Sequence, residues 1–209
     1  VDVERVDALR RDVNEWDDYV WIDVGNFLND HENLKIRKER SVEALLDVFD
    51  TWASTASTFE EDVQSEVRSC GQSYIDHYVD YVKSIAEGDL GALLNANENS
   101  SMIEGLLGYD QELSVHLRMQ RILEFFQSEY FANVPEVRIG SEFFALLRLK
   151  LRQGEFINKE RNWSRFGGFF YDVRFISTYA PYCDAMVMDN LMYQFATDPL
   201  INLEKRLGV

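Results

Sequence analysis

The sequence predicts a mostly α-helical protein: a long-helix array packed on a small α/β C-terminal part with few short strands. Three observations predict it. The 209 residues contain only 3 prolines and 11 glycines, so few positions break a helix. Apolar residues recur at steps of three and four through roughly the first 130 positions. After Asn133-Val134-Pro135 the texture changes, and shorter apolar runs replace the long stripes. The expected division is therefore 1–133 for the helical array and 134–209 for the α/β part, the two forming one compact unit.

The first stripe is Val6, Leu9, Val13, Trp16, Val20, Val24 and Phe27, which predicts a helix to about Asn29. Within it, Tyr19 to Val24 also reads as a strand. His31 and Glu32 are placed in the following turn. A second helix carries Val42, Leu45, Leu46, Phe49 and Trp52 on its apolar face. Ser54-Thr55-Ala56-Ser57-Thr58 is a linker, and Thr58 with Glu61 makes a capping box for the next helix. That third helix holds Val63, Val67, Cys70, Tyr74, Tyr78, Val82 and Ile85 in line until Glu87-Gly88-Asp89. Residues 88–110, rich in Gly, Asn and Ser, read as short helical turns in a loop. A fourth long helix has Val115, Met119, Ile122, Phe126 and Tyr130 on one side. Val137-Arg138-Ile139 is a short strand or an extended entry to a helix bearing Phe143, Phe144, Leu147 and Leu151.

Composition narrows the function classes. Hydrophobic residues make up 46% and aromatics 13%, enough for a large core. Asp and Glu number 37 against 21 Lys and Arg, a net charge of -16. A surface coating anionic membrane or duplex DNA as a whole is excluded, because such binding rests on cations neutralising phosphates. No apolar run approaches the roughly 18 residues of a membrane span. Val1 to Arg11 lack the apolar centre of a signal peptide, and Cys70 and Cys183 lack a CxxC partner, so a reduced cytoplasmic chain is expected. The chain opens at Val1 without a Met and stops at Val209, as a fragment of a longer protein would. His31, His77 and His116 show no ligand spacing, and no phosphate-binding glycine loop or nucleophile elbow occurs.

The residues that can carry chemistry lie between Gly167 and Asn190. Two glycines precede a helix with Asp172 in its first turn and Phe175, Ile176 and Tyr179 as its buried side. Pro181 ends it. Ala185-Met186-Val187-Met188 reads as a buried parallel strand, with Asp189 where it ends. An acid outside the carboxyl end of a strand is well placed to face a ligand. Carboxylates gathered there need a divalent cation, and oxygen donors suit Mg²⁺ or Mn²⁺. Upstream, residues 148–165 hold six cations (Arg148, Lys150, Arg152, Lys159, Arg161 and Arg165) against Glu155 and Glu160, with Phe156 and Trp163 among them.

Asp172, the helix after it, Pro181-Tyr182-Cys183-Asp184, the apolar run and Asp189-Asn190 resemble the C-terminal half of PIN-like nuclease domains, in particular large bacterial PIN-like proteins. The resemblance covers roughly Val137 to the end. It implies metal-dependent phosphodiester hydrolysis, usually of RNA, with Asp172 and Asp189 as catalytic metal ligands and Asp184 in support. Glu142 is the counterpart of the family's earlier helical acid. Arg148, Arg152, Lys159, Arg161 and Arg165 would then guide a single-stranded backbone, with the aromatics stacking on bases. The family's opening strand, ending in an Asp, has only Trp21-Ile22-Asp23-Val24 as an approximation here.

Each of these residues also has a plainer reading. Asp172 and Glu142 suit the positive end of a helix dipole. Asp184 suits a turn after Pro181, and Asp189 can cap the helix near Leu191. The basic stretch can be a solvated loop. The sequence therefore holds two functions open: a PIN-like hydrolase using Mg²⁺ or Mn²⁺, and a catalytically inactive helical interaction or regulatory module binding a protein partner through its acidic helices.

Overall fold

The computed structural model describes residues 24–88, 98–109, 112–156, 158 and 166–208. They divide into two compact units, Val1–Ser41 and Val42–Val209, with the boundary inside the first helix. The helices are α1 (Val24–Ser54), α2 (Phe59–Ala86), α3 (Glu98–Tyr109), α4 (Val115–Phe126), α5 (Glu129–Ala132), α6 (Pro135–Arg152), α7 (Phe169–Tyr179), α8 (Asn190–Ala196) and α9 (Leu203–Leu207). A 3-10 turn, Ala180–Tyr182, follows α7. Among the described residues there is no strand, and no helix is long and apolar enough to cross a membrane.

The mostly helical reading holds, and the α/β part does not. Val137-Arg138-Ile139 is not a strand but the first turn of α6, where Pro135 at the start has no N–H to lose. Ala185–Met188 belongs to no strand and to no helix. The turn expected at His31 and Glu32 is absent, since α1 runs through both; the stripe from Val6 to Val20 lies outside the described residues. Residues 98–109 make a full helix rather than isolated turns. The fourth helix breaks at Ser128, whose hydroxyl accepts the Phe131 N–H and starts α5. The break turns Phe131 into the core and leaves Tyr130 in solvent.

Within the larger unit α6 is the central element. On one side Ile139, Phe143, Leu146, Leu147 and Leu151 join Val42, Leu45 and Phe49 of α1, Phe166, Phe169 and Ile176 around α7, and Phe195 of α8. On the other, Val137 and Ala145 meet Val63 and Val67 of α2, Ile103 of α3, Ile122 and Phe126 of α4, and Phe131. Phe143, Phe166, Phe169 and Phe195 are fully buried, each worth about 1.5–3 kcal/mol over exposure. Their rings meet mainly edge to face, Phe166 on Phe169 at 5.3 Å and Phe169 on Phe195 at 5.7 Å.

Local signals set the helix ends. The Thr58 side chain accepts the Glu61 N–H while the Glu61 carboxylate accepts the Thr58 N–H at 2.8 Å, so the expected capping box is formed. At the end of α6, Gly154 takes φ +83°, which lets its N–H reach the Leu151 carbonyl and the Glu155 N–H reach that of Lys150. A side chain at 154 would be strained there. The chain can thus reverse immediately after its most buried helix.

Candidate functional site

A ladder of ion pairs joins α2 and α6. The two helices carry opposite signs: Glu60, Asp62 and Glu66 on α2, and Arg138, Arg148 and Arg152 on α6. Asp62, only 2% exposed, accepts from Arg152 Nη2 at 2.5 Å and from Ser57 Oγ at 2.8 Å, with Arg148 Nη1 3.6 Å away. Arg148 also pairs with Glu66 and stacks its guanidinium 4.5 Å above the Trp52 ring. Burial raises the Glu66 carboxyl above the usual carboxylate range, against the pull of Arg148. The hydrogen bond from Arg138 lowers the Glu60 carboxyl.

These pairs decide where several of the expected site residues sit. Glu142 is buried in α6 and held by Arg138 Nε at 2.7 Å and by Arg206 of α9. It joins two helices through these arginines. Arg148 and Arg152 point into the ladder instead of outward to a phosphate backbone. Lys150 lies 3.4 Å from Glu155 and 3.7 Å from Asp198. Lys159, Arg161, Trp163 and Arg165 lie outside the described residues.

The three aspartates occupy local roles. Asp172 is in the first turn of α7, and its Oδ2 sits 2.7 Å from where a Cβ on Gly168 would be, so the carboxylate folds back against the glycine before the helix. A side chain at 168 would push the carboxylate aside. Asp184 is exposed on a bend after the 3-10 turn. Asp189 is the N-cap of α8, with Oδ1 accepting the Met192 N–H at 2.8 Å. Among the described residues no group of three or more His, Cys, Asp and Glu side chains is placed to hold a metal ion. The donor set implied by the PIN-like resemblance therefore does not fit Mg²⁺ or Mn²⁺ here, since one carboxylate is committed as a cap and another lies against its own helix start.

Of the three residues expected on the buried side of α7, two lie outside, Phe175 and Tyr179. Ile176 is inside as expected, but its buried companions are Phe169, Val173 and Ser177. Phe175 and Tyr179 are 54% and 50% exposed, their rings 4.9 Å apart. Tyr171 lies one turn earlier on the same side and is 38% exposed, and Tyr182 in the following 3-10 turn is 81% exposed. Beside this ridge runs a groove of about 330 Å³, bounded by Glu136 at the start of α6 and by Arg174 and Thr178 of α7. The signal for this face was in the sequence: aromatic residues at 171, 175 and 179 have the i, i+4, i+8 spacing of one helix side.

A second groove, about 440 Å³, lies along α2 between Ser69 and Asp80 and is lined by residues of polar type. His77 turns inward along its own helix there, its Nδ1 2.6 Å from the Ser73 carbonyl oxygen. Of the cysteines, Cys183 is exposed, while Cys70 is half-buried and its thiol is pushed up to about 11, first by burial and then by Glu136 and Glu66. No protein-family model matches this chain, and neither a curated protein nor a solved structure matches it.

Proposed function

We propose that this chain is a helical interaction module that binds a protein partner through the aromatic ridge of α7. One observation carries the reading: α7 is apolar on two opposite faces, one buried in the core and one exposed as Tyr171, Phe175 and Tyr179. A second apolar face, opposite the one turned to the core, is a surface that another packed element can cover. Tyr and Phe aligned beside a groove are the residue types that anchor protein interfaces, because they combine large contact area with little side-chain entropy to lose. This moves the docking surface from the acidic helices, where the sequence suggested it, to an aromatic one. The alternative, hydrolysis through Mg²⁺ or Mn²⁺, has less support, since among the described residues no three His, Cys, Asp or Glu side chains are placed to hold a metal ion.

The test compares the wild-type chain with the triple variant Tyr171→Ser, Phe175→Ser, Tyr179→Ser. All three side chains are exposed, so helix content and melting temperature should stay close to wild type. A partner captured by the wild type is purified and its affinity for both chains measured. Loss of anchors of this kind costs about 2 kcal/mol or more, a drop of roughly 30-fold. Equal affinity for the two chains refutes the assignment of the ridge.

A further inference from the structure

The segment that follows the ridge passes a bend at Asp184 and then runs through four apolar residues that belong to no helix or strand. Cys183 is extended at φ -113°, ψ 138°, and Asp189 is extended at φ -73°, ψ 170°. Among the described residues, none of 184–188 exchanges a backbone hydrogen bond with another. Burial between them alternates with a period of two. Met186 and Met188 pack against the core, whereas Ala185 is exposed and Val187 is 99% exposed. That alternation belongs to one face of a pleated strand lying on a hydrophobic layer. The outward positions are apolar, as they would be if that side were covered as well.

We propose that Ala185–Met188 accepts a β-strand from a partner protein, namely an extended apolar segment flanked by lysine or arginine. The inference rests on the reading of the chain as an interaction module and names how the partner engages it. Main-chain hydrogen bonds supply the affinity in strand addition, and alternate side chains supply the selectivity. The flanking charges select the occupant. Asp184 and Asp189 bracket the segment, and the chain as a whole carries -16. A second copy paired antiparallel about Met186 and Val187 would set Asp184 opposite Asp189 at both ends, and a parallel in-register pair would set each aspartate opposite itself. Like charges facing across a pair are destabilising, so self-pairing is disfavoured while basic flanks are attracted.

The test uses the whole chain and three synthetic hexapeptides, each capped at both ends: Lys-Val-Thr-Val-Thr-Lys, its Glu-flanked counterpart, and the Lys-flanked peptide with every internal amide N-methylated. Binding is followed by hydrogen exchange and by titration. The expected result is slowed exchange at amides within 185–188 with the Lys-flanked peptide. The Glu-flanked peptide should bind at least tenfold more weakly, and the N-methylated one should give no protection. Asp184→Lys, at an exposed position that caps no helix, should weaken the Lys-flanked peptide and strengthen the Glu-flanked one. Protection elsewhere, equal binding of the methylated peptide, or no response to Asp184→Lys overturns the proposal. The ridge variant separates the two readings. Peptide binding that survives it while the purified partner is lost supports both. A partner lost with the ridge when no peptide protects 185–188 leaves the module and removes the strand.

Discussion

Removing the carboxylate of Asp62 should be the most damaging single change in the α2–α6 interface. The side chain is 2% exposed and compensates two arginines, Arg152 at 2.5 Å and Arg148 at 3.6 Å, while also accepting from Ser57. Taking away one partner of a buried ion pair leaves charge that neither water nor protein solvates, and costs about 3–5 kcal/mol. For a unit of this size each kcal/mol moves the melting temperature by about 2–4 °C, so Asp62→Ala should lower it by roughly 6–20 °C. The assay is thermal unfolding followed by circular dichroism, with Asp62→Ala, Arg152→Ala and the double variant in one cycle. Because the residues touch, the double variant should fall short of the sum of the singles by roughly 0.5–3 kcal/mol. An Asp62→Ala protein that melts within 2 °C of wild type, on the scale expected for a surface change, refutes the claim that Asp62 is the buried hub of the ladder.

Asp189 offers a sharp distinction between a cap and a metal ligand. Asparagine caps a helix as well as aspartate does, so Asp189→Asn should be nearly neutral and Asp189→Ala should cost about 1 kcal/mol; Mn²⁺ should raise the melting temperature of neither the wild type nor the variants, and a Mn²⁺-dependent rise lost in Asp189→Asn contradicts the capping role. The two cysteines should separate in alkylation kinetics at pH 8. Cys183 should react with iodoacetamide at a rate ordinary for an exposed thiol, whereas Cys70, with its thiol near 11 and half-buried, should be slower by at least tenfold, as read by peptide mass spectrometry. Comparable rates at the two sites contradict the burial of Cys70.

What the sequence made legible was whatever depends on near neighbours. The stripe Val42, Leu45, Leu46, Phe49 is buried as its spacing implies, and the Thr58–Glu61 box forms because both partners lie within one turn. The turn at His31 was misread because Asn29-Asp30-His31-Glu32-Asn33 has the polarity of a turn without a proline or glycine to enforce one. In α7, Phe175 with Tyr179 and Val173 with Ile176 are equally apolar sides, so periodicity finds the helix and cannot say which side is inside. The strand-like composition of Ala185–Met188 was legible, but strand pairing is made by residues far away in the chain. The same holds for Glu142, Arg148 and Arg152. Their type suggested chemistry, and partners on α2 and α9 that no local pattern announces commit them to structure instead.

The ladder between α2 and α6 also bears on the order in which the protein is made. Ser57, Asp62 and Glu66 precede their arginine partners by 95, 90 and 82 residues. At a translation rate of about 5–20 residues per second, the acidic face of α2 waits roughly 4–20 s before its counter-charges are polymerised. During that interval the helix carries unneutralised carboxylates on the side destined for the interior, so it has no reason to bury that side early. The charges that join α2 to α6 in the finished unit therefore favour hydration of that one face of α2 until α6 has been synthesised, while its other face already has α3, α4 and α5 to pack on.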